Sequence, residues 1–214
     1  MIIKTISFLL IFSVLPSIAF SQDLWELEKD SDGIKVYTRL EAGSPYKSFK
    51  AIALANASGE AIAAILKDIN GYAAWFAFTE KVKLLENSLH EKYVYMETQF
   101  PWPFTNEDMI YMMTFATEGN GISKVTLIGI PSYLPPIDGI NRMKEAHGYI
   151  LLKPIGNKTE ITYYMHSDLG GDIPVWMANK YIYNLPYQTL SNLKKISMNG
   201  PQGDRSQLTE ASHK

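Results

Sequence analysis

His147 and His166 each stand two residues from an acid, in runs of alternating hydrophobicity, and they are the first groups in this sequence that chemistry would use. If Pro154 to Asn157 form a turn, the strands on either side place Glu145, His147, His166 and Asp168 on one face, a two-histidine, two-carboxylate set able to ligate a divalent metal. The same alternation puts Tyr163 and Met165 on the other face. With those side chains inward the histidines point outward, and no metal site is expected. Ser167 merely lies between His166 and Asp168 on the pleat, and no Gly-x-Ser-x-Gly elbow exists, so a nucleophilic serine is not expected either. Glu107 and Asp108 are adjacent, and adjacent strand residues face opposite ways, which argues against an acid–base pair. Gly119-Asn120-Gly121 reads as a hairpin turn, because no helix follows to hold a phosphate. Cysteine is absent, which removes thiolate metal sites, iron–sulfur clusters, disulfides and cysteine nucleophiles together. No cofactor is expected.

The 214 residues are 46% hydrophobic and 20% charged, a balance that can bury a core. Lys and Arg number 20 against 22 Asp and Glu, a formal net charge of −2, so nothing favours nucleic acid as a partner. Met1 to Ser21 reads as a signal peptide. Lys4 supplies the positive start, an apolar run ends at Pro16, and Ala19 and Ser21 fit the small-residue rule for cleavage before Gln22. The mature protein is therefore expected in the periplasm or secreted. No internal linker or repeat divides residues 22–198, which read as one domain. Residues 199–214 form a polar tail expected to be disordered.

The elements that must position these residues are mostly strands. Ile34, Val36, Thr38 and Leu40 alternate, and a Gly-Ser-Pro turn leads to a second strand over Tyr46 to Ala55. Ser58 can cap a helix through Leu66, and an aromatic turn, Tyr72 to Phe78, follows. Six more strands are predicted over Lys81–Asn87, Lys92–Phe100, Asn106–Glu118, Lys124–Ile130, Arg142–Lys153 and Lys158–Leu169. The last element is one long helix, Ile173 to Met198, opened by Pro174 and kinked by Pro186. Its stripe of Val175, Ala178, Ile182, Leu185, Thr189, Leu193 and Ile196 must face a partner. Strands, a helix, more strands and a final helix predict an α+β fold, a curved antiparallel sheet of about eight strands wrapped around that helix.

Such a sheet either packs solid or encloses a hollow. Its inward faces carry Met109, Tyr111, Met113 and Phe115 on one strand, and Val94, Met96, Thr98 and Phe100 on another. The last hairpin adds Ile161, Tyr163 and Met165 against Gly148 and Ile150. Methionine is adaptable and tyrosine has a polar tip, a mix that suits a ligand surface and also occurs in ordinary cores.

From Trp25 to Leu193 the chain resembles the START family of lipid-transfer domains, which have the helix-grip fold. Asp32 to Arg39, DGIKVYTR, resembles the opening strand, and Tyr72 to Trp75 the aromatic turn. Pro101 to Asp108, PWPFTNED, resembles the loop and strand start that normally read Asn-Arg-Asp. Thr162 to Trp176, TYYMHSDLGGDIPVW, followed by Asn179, is similar to the final strand entering the long helix, and it is the most specific of the four. The chain departs at Glu107, usually arginine, so an ion pair there is lost or reversed. It also lacks, near Met112 and Met113, the inward arginine of some sterol carriers.

The resemblance implies one hydrophobic cavity between sheet and C-terminal helix, holding one lipid or lipid-like molecule non-covalently, with no cofactor, catalytic residue or metal. The implied wall includes Phe100, Tyr111, Met113, Tyr163 and Met165 from the sheet. Ala178, Ile182 and Leu185 come from the helix, and Met96 and Thr98 share the inward face. Loops 101–105, with Trp102, and 131–139, with Tyr133 and Leu134, are expected at the mouth, where they would touch a membrane transiently. A monomer is the favoured state. Two other readings stay open: a helix-grip enzyme acting on a hydrophobic substrate, and an interaction module with a filled core.

Overall fold

Asp32 and Gly33, both at positive φ (55° and 68°), turn the chain within two residues, the backbone that a tight two-residue hairpin needs. They join β1 (Glu26–Ser31) to β2 (Ile34–Leu40). The computed structural model describes residues 24–198 except His90 and Asp172. The leader and the polar tail read from the sequence lie outside the described residues.

After β3 (Lys47–Ala55), the Ser58 hydroxyl accepts the Ala61 N–H at 3.2 Å and starts α1 (Gly59–Lys67). A 3₁₀ turn, Ile69–Ala74, follows. The meander then runs through β4 (Thr79–Asn87), β5 (Glu91–Thr98), β6 (Glu107–Thr117) and β7 (Ser123–Gly129). Next come the two-residue β8 (Asn141–Arg142), β9 (Glu145–Ile155) and β10 (Lys158–Asp168). The result is one ten-stranded sheet with the path β1-β2-β3-β10-β9-β7-β6-β5-β4, β8 lying beside β6. It has more strands than expected because β1 is largely exposed and carries no clean alternation, and β8 is too short to show one.

The β3–β10 pairing joins the N-terminal hairpins to the last strand and sets Phe49 opposite Met165, Ala51 opposite Tyr163 and Ala53 opposite Ile161. Small residues on β3 leave room for the large ones on β10 and for the helix that crosses β2 and β3. At Gly148, opposite Met165 on β9, a Cβ would lie 2.2 Å from the Tyr164 carbonyl, so only glycine fits.

The single C-terminal helix of the sequence reading is two helices, α2 (Val175–Tyr181) and α3 (Asn184–Met198). Pro186 has no N–H for the carbonyl of Ile182, so the ladder stops and restarts with Tyr187 N–H on the Tyr183 carbonyl at 3.3 Å. Proline then sits in the first turn of α3, where it is tolerated, instead of kinking a continuous helix. The break divides the apolar stripe. On α3, Thr189, Leu190 and Leu193 are fully buried, whereas α2 buries none of its residues completely.

The same helix pins the aromatic turn. Asn192 donates to the Trp75 carbonyl at 3.2 Å, and the Thr189 hydroxyl accepts the Ala77 N–H at 3.2 Å. Tyr72 donates to the Leu66 carbonyl at 2.6 Å and meets Trp75 edge to face. The packed core therefore lies under α1, the aromatic turn and α3, and α2 covers the other end of the concave face.

Candidate functional site: an apolar hollow beneath the broken helix

Beneath α2 the sheet and helix do not meet, and a hollow of about 700 Å³ remains. Its sheet wall includes Phe49, Thr98, Phe100, Met165 and Ser167. Met177, Ala178, Ile182 and Leu185 close it from the helix side. The rim is the β5–β6 loop, Pro101 to Phe104, where Trp102 is 92% exposed.

Seven of the residues expected at a ligand border this space: Thr98, Phe100, Trp102 and Met165, with Ala178, Ile182 and Leu185. Met96, Tyr111, Met113 and Tyr163 do not. They share the concave face but lie further along it, packed in the core. The Tyr163 ring meets Phe49 at 4.9 Å and Phe76 at 5.9 Å between centroids, so the aromatic turn folded onto the sheet forms a floor. The Tyr163 hydroxyl lies inside that floor with no hydrogen-bond partner, and burial pushes its pKa well up. Phe49 and Ser167 were missed although each lies on the inward alternation of its strand. Met177 was missed because it lies off the stripe read for one continuous helix.

Loop 131–139 is also elsewhere. It borders no part of the hollow. Arg142 donates to the carbonyls of Pro131 (2.5 Å) and Leu134 (2.9 Å), and Tyr133 stacks on Tyr93 at 4.8 Å between centroids.

Among the described residues, Asn179 and Glu107 make the polar attachments that hold α2. The Asn179 amide accepts the Lys47 N–H at 2.8 Å and donates to the Pro45 carbonyl at 2.9 Å, binding α2 to the β2–β3 loop. At the other end Glu107, fully buried, accepts the N–H groups of Gly170 (3.3 Å) and Gly171 (3.2 Å) in the link from β10 to α2. Both must be glycine. A Cβ on Gly170 would sit 1.8 Å from the Arg142 carbonyl, and one on Gly171 2.2 Å from the Asn141 amide nitrogen. Burial pushes Glu107 up to about 7 although both backbone donors pull it down, and the charges of Asp168 and Asp108 add to the rise. Among the described residues Glu107 joins no ion pair. The ion pair belongs to the next residue, Asp108, whose carboxylate takes Arg142 at 2.5 and 3.1 Å.

Lys47 is the one charged residue of the described wall. Its ammonium donates to Glu28 (3.0 Å) and the Thr38 hydroxyl (3.2 Å), and Glu26 lies 3.5 Å away. Burial alone would lower its pKa, but the Glu28 hydrogen bond and charge prevail and hold it above the usual lysine value.

On the opposite face the β9–β10 register pairs His147 with His166 and Glu145 with Asp168, as the turn implied. The face does not simply meet solvent. His166 is buried, its Nδ1 3.1 Å from the Ser48 hydroxyl, which in turn donates to Glu41. Burial, reinforced by neighbouring His147, holds His166 below the usual histidine pKa. His147 instead pairs with Glu145 at 3.2 Å. Among the described residues no three potential ligands converge on one point, nor is any helix long and apolar enough to cross a membrane.

A long antiparallel sheet closed around a C-terminal helix, with an apolar hollow left between them, is the helix-grip architecture. No protein-family model matches the sequence, but individual relatives do. A solved STAR-related lipid transfer protein from Xanthomonas axonopodis is 34% identical, superposes with a TM-score of 0.77, and is matched over 81% of this chain and 98% of its own. On that relationship the chain belongs to the StAR-related lipid-transfer (START) family. An uncharacterised protein of Pseudomonas aeruginosa is 32% identical over 84% of this chain and 89% of its own. Rat phosphatidylcholine transfer protein is 24% identical over 82% of this chain and 84% of its own. Human StAR-related lipid transfer protein 5, at 15% identity over 82% of this chain and 86% of its own with a TM-score of 0.73, shares the fold.

Proposed function

We propose that the protein binds one lipid or lipid-like molecule non-covalently in the hollow under α2 and carries or presents it without chemical change. The observation that supports this reading is the hollow itself, about 700 Å³ of mainly apolar space under a helix with no fully buried residue. Its size lies in the range of small-molecule sites. Family membership supports the same reading. So does the chemistry of the wall, whose described residues include no histidine, carboxylate or cysteine to move a proton or attack a carbonyl. The rim fits brief contact with a membrane. The sequence of residues 1–21 supports export, with a mature protein that starts at Gln22; the intact mass of the exported form tests that start.

Ile182→Trp tests the binding. Ile182 lines the hollow at the helix break, so a larger ring occupies ligand space; in a packed core the same change would cost about 1–3 kcal/mol. The expected result is retained stability with loss of the lipid that co-purifies with the wild type, read by native mass spectrometry. A wild type that never binds lipid, with a variant that loses stability, would retire the proposal.

A further inference from the structure

The face of the sheet away from the hollow holds a second arrangement with a chemistry of its own. We propose that His147 and His166 bind one divalent cation of the borderline first-row class, copper, nickel or zinc, through their Nε2 atoms, with water completing the coordination shell.

Hydrogen bonding fixes the tautomer of both rings. The Ser48 hydroxyl has one proton and gives it to Glu41, so toward His166 Nδ1, 3.1 Å away, it can only accept, and Nδ1 carries the ring proton. The Glu145 carboxylate, an acceptor only, takes the Nδ1 proton of His147 at 3.2 Å. Each neutral ring is left with a bare Nε2, and neither Nε2 has a hydrogen-bond partner among the described residues. Metal-binding histidines use this arrangement, because an acceptor on the far N–H orients the ring and raises the basicity of the free nitrogen.

The sheet aims the two rings at each other. Strand β10 lies between β3 and β9, so a ring that turns Nδ1 toward Ser48 on β3 turns Nε2 toward β9, where His147 stands directly opposite His166. Zinc lies about 2.0–2.1 Å from an imidazole nitrogen and about 3.2 Å from the ring centre, so two rings on one tetrahedral ion have centres about 5.2 Å apart. Here the centres are 5.4 Å apart. The His147 side chain is 42% exposed, which leaves room for water ligands and for the ring to turn its Nε2 inward.

Carboxylates surround the pair. Glu41, Glu145 and Asp168 all act on His166, and Asp168 Oδ1 is buried without a hydrogen bond, the exposed Lys144 ammonium lying 4.0 Å away. That field favours a cation. Imidazole ligands select copper, nickel and zinc over calcium and magnesium, which take oxygen ligands, and copper(II) binds first in the series. Among the described residues no third side chain converges on the point. With two protein ligands in place of the four of a structural zinc site, the ion is exchangeable.

Calorimetric titration of the EDTA-stripped full chain with copper(II) sulfate or zinc chloride, in a weakly coordinating buffer at about pH 7.5, tests the site. One ion per chain is expected, with copper at least about tenfold tighter than zinc and calcium without effect. His147→Ala, at the exposed ring, should weaken both ions by at least about tenfold and reduce the nitrogen hyperfine pattern of the copper form from two imidazoles to one, while the metal-free melting temperature stays unchanged. Glu145→Ala, which removes the acceptor at Nδ1, should cost about tenfold in affinity. His90→Ala with His213→Ala, the other two histidines of the sequence, should change nothing. A wild type that binds neither ion one to one overturns the proposal, and so does full affinity in His147→Ala or loss of binding in the His90 and His213 variant. Calcium competing at equal concentration overturns the assigned class of ion, and unchanged affinity in Glu145→Ala overturns the role of its carboxylate. The site and the hollow lie on opposite faces of the sheet, so each of these outcomes leaves the carrier reading standing.

Discussion

Glu107 is the residue at which this chain departs most clearly from the family's usual arginine, and burial gives it a testable signature. Its folded-state pKa of about 7 lies above the ordinary carboxylate value of 4.5, so between those values the folded protein binds more protons than the unfolded chain. Stability from this group is complete below about pH 4.5 and is lost as pH rises through 7. His166 acts in the other sense. Its lowered value means that the unfolded chain binds more protons below the usual histidine pKa, so its contribution falls on acidification. Glu107→Gln isolates the first effect. Relative to the wild type, the variant should gain on the order of 2–3 kcal/mol at pH 8 compared with pH 5, read from denaturant midpoints at both pH values. An equal difference at the two pH values would show that the carboxyl is ionised throughout. The alternation rule separated Glu107 from Asp108 correctly, yet it could not show that the first would meet two backbone donors and the second an arginine 34 residues away.

At the scale of elements, the helix break decides which part of the apolar stripe is core and which part is cover. Pro186 was visible in the sequence, and so was its missing donor. Whether the chain would bend or restart depended on Tyr183 and Tyr187 closing a new turn, which local propensity does not determine. Because α2 has no fully buried residue, its attachment falls to Asn179 and to the link held by Glu107. Asn179→Ala removes both bonds to the β2–β3 loop. Hydrogen exchange over residues 175–181 should speed up by about tenfold or more while α3 keeps its protection, with global stability falling by roughly 1–2 kcal/mol. Uniform loss of protection across both helices would mean that α2 and α3 open as one unit.

For the whole molecule, Trp102, Phe78 and Tyr181 all line the hollow and all remain substantially exposed, at 92%, 40% and 47%. Indole rings favour the interface between water and lipid. Trp102→Ala should therefore lower the fraction of protein sedimenting with phosphatidylcholine vesicles by about threefold or more, while stability moves by less than roughly 0.5 kcal/mol. Unchanged sedimentation would remove the rim from any membrane role. Strand alternation, the Ser58 cap, the β9–β10 register and the order of elements were all legible in the sequence, because each depends on neighbours a few residues apart or on one short turn. The resemblance to the START family rested on the same local signals and led to the right fold. The exposed β1 and the two-residue β8 left no such signal. The extent of the hollow belonged to another order of information. Met96, Tyr111, Met113 and Tyr163 have the same inward alternation as Thr98, Phe100 and Met165, and no pattern within a strand distinguishes a side chain that touches space from one that touches Phe76. That division was decided only when β3 paired with β10 and the aromatic turn folded under α3, contacts between segments about a hundred residues apart that bring packing volumes, not sequence periods, against one another.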